Sequence, residues 1–192
     1  MATFQPTGDD LNGNRSYLRF LARAQLDGRV RQRVDASDIV QETLLEAHRS
    51  LVQFQGESES DLTAWLRRIL ARRLAHAFRD NTRQRRDVRR ERSLEASLDA
   101  SSARLRQFVG SDLESPSQHA VSAERLRELA DALESLTPPQ REAIILHYFQ
   151  GRTVPQIATA MQRSEAAVGG LVHRGMQALK AHLRNSAEES RE

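Results

Sequence analysis

Cysteine is absent from the 192 residues, which excludes disulfides, cysteine-ligated zinc, iron–sulfur clusters and thiol catalysis. Aromatic residues make up only 5% of the chain and hydrophobic residues 39%, so any core is small and aliphatic, a composition that suits helices. No stretch approaches the roughly 20 apolar residues of a membrane span. The start, Met1-Ala2-Thr3-Phe4-Gln5-Pro6, lacks the basic and apolar regions of a signal peptide, so the expected location is the cytoplasm. The histidines (His48, His76, His119, His147, His173, His182) form no metal-binding spacing, no glycine loop cradles phosphate, and no paired acids stand out. No metal, cofactor or catalytic residue is therefore expected, and the chain is not read as an enzyme.

Lysine is almost missing too: Lys180 is the single lysine among 29 basic residues. A genome biased toward arginine codons accounts for that ratio, but not for where the arginines lie. Between Arg67 and Arg92 there are eleven arginines against three acids, whereas the end of the chain, Ala187-Glu188-Glu189-Ser190-Arg191-Glu192, is acidic. So dense a basic block attracts a polyanion and repels itself when unpaired.

Periodicity divides the chain into two helical bodies, residues 12–92 and 122–185, with a Ser-rich linker (93–121) between them and an acidic disordered tail (186–192). In the first body, Tyr17, Leu18, Leu21 and Leu26 line one side of a helix. A second helix from near Asp35 carries Val40, Leu44, Ala47 and Leu51 as a buried stripe, with Asp38, Glu42 and Glu46 on another face. After a polar loop at Gln55–Ser60, Asp61 caps a third helix that buries Leu62, Trp65, Leu66, Ile69, Leu70 and Leu74. Its opposite side carries Arg68, Arg72, His76 and Arg79. The linker holds seven serines with at most a short helix at Ala103–Val109. In the second body, Leu126, Leu129, Ala130, Leu133 and Leu136 form an amphipathic helix. Thr137-Pro138-Pro139-Gln140 and Thr153-Val154-Pro155-Gln156 are repeated start signals, Gly151 is a left-handed cap, and Ser164 caps a last helix running to about Arg184. No strand pattern is present. The fold class is all-α: two small helical domains on a flexible linker.

Thr153 to Lys180 has the form of a helix-turn-helix, whose second helix enters the DNA major groove. A plain helical hairpin packed for stability is the alternative, and the basic block favours DNA. Two stretches together resemble the sigma factors of bacterial RNA polymerase, of the extracytoplasmic-function (ECF) type. One is Ser37-Asp38-Ile39-Val40-Gln41-Glu42-Thr43-Leu44-Leu45-Glu46-Ala47 with Phe54-Gln55-Gly56-Glu57 and Thr63-Ala64-Trp65-Leu66-Arg67-Arg68-Ile69, similar to region two. The other is Leu133–Ala143, Tyr148-Phe149-Gln150-Gly151 and the helix-turn-helix, similar to region four.

The resemblance implies a dissociable, non-catalytic polymerase subunit that recognises promoters. It implies that Asp38, Gln41, Glu42 and Glu46 dock on core RNA polymerase, on the basic coiled coil of the largest subunit, with the flap as a second contact. It implies that Phe54, Arg67, Arg68, Arg72, Arg73, His76 and Arg79 bind and open the minus-ten promoter element. Thr153, Arg163, Ser164, Glu165, Gly169, His173 and Arg174 then read the minus-35 element, and an anti-sigma factor is the expected regulator. The loop Phe54–Ser60 is the expected pocket for an extruded base, and Trp65 is read first as core and second as a stacking partner.

Two departures from the family stand out. Arg72 or Arg73 and His76 stand where ECF factors often carry Asn and Asp. Gly169-Gly170 interrupts the recognition helix where a Lys-Ser-Arg-like run is common, which implies weaker, more backbone- and shape-based reading upstream. A stand-alone helix-turn-helix regulator is the alternative function, and a protein-interaction module with no DNA role is a third.

Overall fold

The computed structural model describes residues 4–26, 34–82, 88–112 and 123–189, and every regular element among them is helical. The chain divides into two compact units, Met1–Arg106 and Gln107–Glu192.

In the first unit, α1 (Gly8–Gly13), α2 (Arg15–Gln25), α3 (Ala36–Arg49) and α4 (Glu59–Thr82) are followed by most of α5 (Val88–Asp112). Short-range polar signals set the starts. The Asp10 carboxylate accepts the Thr7 N–H at 2.7 Å while Thr7 Oγ1 accepts the Asp10 N–H at 3.3 Å, a capping box that opens α1. Asp35 caps α3 by accepting from the Ser37 N–H at 2.8 Å. The third-helix cap is Ser58 rather than Asp61, because the helical ladder begins one turn earlier, with Leu62 N–H donating to the Ser58 carbonyl at 3.1 Å. Asp61 takes the reciprocal seat instead. Its N–H donates to Ser58 Oγ at 3.2 Å, and its carboxylate accepts from the Ser58 hydroxyl at 2.7 Å and the Glu57 N–H at 3.1 Å. The core stripes fall as expected at most positions: Tyr17, Leu18 and Leu21 pack with Val40, Leu44 and Ala47 and with Leu62, Leu66, Ile69, Leu70 and Leu74, all buried. Trp65, however, is half-buried, and Leu51 does not extend the α3 stripe, because α3 ends at Arg49 and the half-buried Leu51 opens the short turn Leu51–Gln53. Each such large apolar side chain stabilises the unit by roughly 1.5–3 kcal/mol.

The linker reading fails over residues 93–112, which are the bulk of α5. Leu94, Leu98 and Leu105 are buried, and between them Ser101 and Ser102 are buried as well. The Tyr17 hydroxyl donates to Ser102 Oγ at 2.9 Å, Gln25 Nε2 donates to Ser101 Oγ at 3.1 Å, and the Ser97 hydroxyl donates to Gln25 Oε1 at 2.7 Å. Serine here is a small residue at a helix crossing, its hydroxyl satisfied by a partner, and not a mark of flexibility. The first unit therefore extends to Arg106, beyond the boundary expected at residue 92. Residues 113–121, the rest of the expected linker, lie outside the described residues.

The second unit packs α6 (Ala123–Ser135), α7 (Pro138–Ile144) and α8 (Val154–Met161) against the long α9 (Glu165–Glu189). A one-turn π segment, Ile145–Phe149, continues α7. Gly151 has φ +66°, the left-handed cap expected of it. Gln162 also enters the left-handed region, at φ 54°, where α8 turns into α9. Arg141 closes α6 from outside: its guanidinium donates to the carbonyls of Leu133, Glu134 and Leu136 at 2.8–2.9 Å and meets the Glu134 carboxylate at 3.2 Å. Gly175 lets α9 approach α7, since a Cβ there would lie 2.7 Å from Ile144 Cδ1. The helix continues to Glu189, so residues 186–189 of the expected disordered tail are helical, and 190–192 lie outside the described residues.

Candidate functional site

Two charged faces meet in the first unit. Along α3, Asp38, Gln41 and Glu42 are exposed, four residues or fewer apart, and form one ridge. Leu45, 51% exposed, extends that ridge; sequence reading passed it over, although an apolar residue outside the buried stripe was the available signal. Glu46, one step round the helix, turns toward α4. There it accepts from Arg72 Nη2 at 3.2 Å and pairs closely with Arg73 Nη2, while Arg73 Nη1 lies 3.8 Å from Glu42. The acids and the arginines expected to serve separate partners thus hold each other across α3 and α4. An open cavity of about 360 Å³ borders this junction, lined by Glu46, Arg49, Ser50, Gln53, Trp65, Arg72 and Arg73.

Arg68 and His76 are exposed on α4 and Arg79 is half-buried, in line with Arg72. Arg67 does not belong with them. Its side chain is only 15% exposed: Nη1 donates to the buried Tyr17 hydroxyl at 3.1 Å, and Nε donates to the exposed Asp99 carboxylate at 2.8 Å. Burial works against its charge, but Tyr17 and Asp99 outweigh it and hold the guanidinium above its ordinary value. Arg67 ties α5 to α2 and α4, apart from the exposed row of Arg68, Arg72 and His76. Of the arginine block, Arg83, Arg85 and Arg86 lie outside the described residues.

The loop after α3 is tightly filled. Phe54 lies over Gly56, where any Cβ would collide with the Phe54 ring and with Asp61 Cβ. The ring packs on Trp65 at 5.4 Å between centroids, tilted 58°. Trp65 is half-buried: it backs Phe54 and also borders the cavity, so it is partly core and partly wall. The hydroxyl of Ser58, with the backbone N–H groups of Glu57 and Ser58, holds the Asp61 carboxyl below its usual range and pins the far end of the loop.

In the second unit, the α8–α9 pair is a helix-turn-helix built on a small apolar cluster of Leu146, Ile157, Ala158 and Val168, flanked by Val154, Met161 and Val172. Thr153 sits at the α8 cap, exposed, with its N–H donating to Gln156 Oε1 at 2.9 Å. Ser164 caps α9, its Oγ accepting the Ala167 N–H at 3.2 Å. Arg163, Glu165, His173 and Arg174 are exposed. Gly169 is bare, with nothing within 4 Å of where a Cβ would stand, whereas a Cβ at Gly170 would lie 3.1–3.5 Å from the Arg174 guanidinium. Beside Gly169 a cavity of about 390 Å³ runs along His147, Tyr148, Val154, Val172, His173, Met176 and Lys180.

Two helical modules stand in this order, an acid-and-arginine body followed by a helix-turn-helix, the order of the two stretches that resemble regions two and four. Family comparison agrees: the profile of sigma-70 region 2 matches residues 14–84 and that of sigma-70, region 4 matches residues 126–179. The ECF RNA polymerase sigma factor SigX of Bacillus subtilis is 30% identical over 160 residues, covering 83% of this chain and 76% of SigX. The ECF RNA polymerase sigma factor BldN of Streptomyces coelicolor is 31% identical over 159 residues, covering 83% of this chain but 54% of BldN. A solved structure, the sigma factor RpoE with the anti-sigma factor NepR from Bartonella quintana, aligns over 92% of this chain and 95% of that one at 24% identity, with a TM-score of 0.35. The chain belongs to the ECF sigma factors of the sigma-70 family. It is a sigma factor that directs promoter recognition by RNA polymerase, a class of non-catalytic subunit, and the stand-alone regulator is not favoured.

Proposed function

We propose that the α3 ridge docks on core polymerase while the adjoining face of α4 holds the opened minus-ten strand. The observation that carries this reading is the junction at Glu46, where the acidic ridge and Arg72 and Arg73 share one set of ion pairs. A basic partner that draws in Glu42 and Glu46 leaves Arg72 and Arg73 for phosphate. Docking and strand capture are then successive uses of the same charges. Opening a promoter without a chemical fuel requires that the exposed strand be bound better than the duplex, by a few kcal/mol for each unstacked base. Arg68, Arg72, Arg73 and Arg79 supply positive charge along α4, His76 adds an imidazole among them, and Phe54 with Trp65 supplies aromatic surface at the end of the row.

For the minus-35 element, exposed Arg163, Glu165, His173 and Arg174 on the turn and α9 support groove contact, with Thr153 and Ser164 holding the two helix starts. Bare Gly169 supports close backbone approach in place of side-chain readout at that turn. An anti-sigma factor is the proposed regulator, and the cytoplasm the proposed location. Among the described residues no helix is long and apolar enough to cross a membrane.

The test is reconstitution with core polymerase on a genomic promoter library, with sequencing of the start sites. The expected result is a defined promoter class for the wild type and, for Asp38→Ala, weaker core binding with the same start sites. Absence of a core complex, or initiation with no shared sequence at either element, overturns the reading.

A further inference from the structure

Phe4 precedes both regions that the family profiles match, which begin at residue 14, yet it is not left in solvent. The half-buried ring meets Phe54 edge-on, with centroids 6.4 Å apart and planes at 73°. Phe54 in turn packs on Trp65 at 5.4 Å, so the three rings form a continuous stack from the N-terminal arm to α4. The arm is not placed by chance contact. The Thr7–Asp10 capping box starts α1 three residues after Phe4, and buried Leu11 anchors α1 in the core. Pro6 stiffens the short arm between them. From the other side, Phe54 rests on Gly56, and Asp61 holds the loop's far end through Ser58 and Glu57. Without Phe4, the outer edge of the Phe54 ring has lost its neighbour while its inner contacts remain, and an edge-to-face partner is what fixes such a ring's tilt.

We infer that Phe4 is a positioning residue for strand capture, holding Phe54 against Trp65 so that the loop presents one fixed aromatic surface to an unstacked base. This rests on the proposed role of the loop in the minus-ten element. Phe4 acts through Phe54 and contacts no nucleic acid in this account.

Trp65 is the only tryptophan of the chain, so its fluorescence reports on this stack alone. In the full-length protein, Phe4→Ala is expected to red-shift Trp65 emission and increase its quenching by acrylamide, and Phe4→Leu to restore most of both. In holoenzyme assembled on core polymerase, promoter opening, followed by permanganate reactivity of unpaired thymines, is expected to slow about three- to tenfold in Phe4→Ala, the scale of one lost aromatic pair. Core affinity stays within twofold and Phe4→Leu recovers part of the rate. Phe54→Ala separates the two ideas. If Phe54→Ala leaves opening unchanged, the loop does not capture the strand and the inference falls with it. If Phe54→Ala slows opening but Phe4→Ala does not, whether or not Trp65 emission moves, the loop's role stands and the positioning role of Phe4 is overturned.

Discussion

The two units organise their functional side chains in opposite ways. In the first, charged groups are placed by one another: Glu46 by Arg72 and Arg73, and Arg67 by Asp99 and Tyr17, across elements up to 50 positions apart in sequence. In the second, the exposed groups of the turn and α9 are placed by backbone devices: the Thr153–Gln156 box, the left-handed Gln162 and the Ser164 cap. No ion pair among the described residues engages Arg163, His173 or Arg174. A unit that must release charges to a partner benefits from weak mutual pairing, whereas one that lies against a groove needs a rigid frame with its cations outward.

The largest expected effect tests whether α5 belongs to the first unit. Leu98→Ala should destabilise that unit by about 2–5 kcal/mol, as for other buried leucines, read by thermal unfolding of the full chain. A tether at that position would show no change. In the second unit, Arg141→Ala removes the groups that satisfy two α6 carbonyls and that of Leu136 just past the helix, and leaves Glu134 without this partner. The expected cost is about 2–4 kcal/mol, seen as a selective loss of amide protection in α6 and α7 by hydrogen exchange. Gln162→Gly relieves a non-glycine residue in the left-handed turn and should stabilise the second unit by roughly 0.5–1 kcal/mol in urea unfolding. Smallest in stability is Glu46→Gln, because partly exposed ion pairs are worth about 0–1 kcal/mol each. Its signature is functional: free protein should bind single-stranded oligonucleotide a few-fold more tightly while binding core polymerase less well.

Local devices were the legible part of the sequence. The stripe Val40–Leu44–Ala47, the two Thr-x-x-Gln boxes and Gly151 depend on neighbours within a turn, and each stands where its spacing put it. The capping box at Thr7–Asp10 obeyed the same rule, but six residues of α1 are too few to show a period. What could not be read depends on partners far along the chain. Ser101 and Ser102 look like linker until Tyr17 and Gln25 are brought beside them, and Arg67 looks like its neighbour Arg68 until Asp99 arrives. One residue of helical phase, about 100°, separates an arginine facing solvent from one tied into the interior.

The most direct test of the account is promoter opening by holoenzyme across a salt series, comparing wild type with Arg72→Ala/Arg73→Ala. If these two side chains hold strand phosphates after docking, the double variant should open promoters at least tenfold less well at low salt. Its logarithmic salt dependence should be shallower by about 1.4, the slope of two single-strand phosphate contacts. Equal opening and an equal slope would mean that the arginines only brace α3 against α4, and the proposed hand-over of charge from Glu46 to the DNA would be wrong.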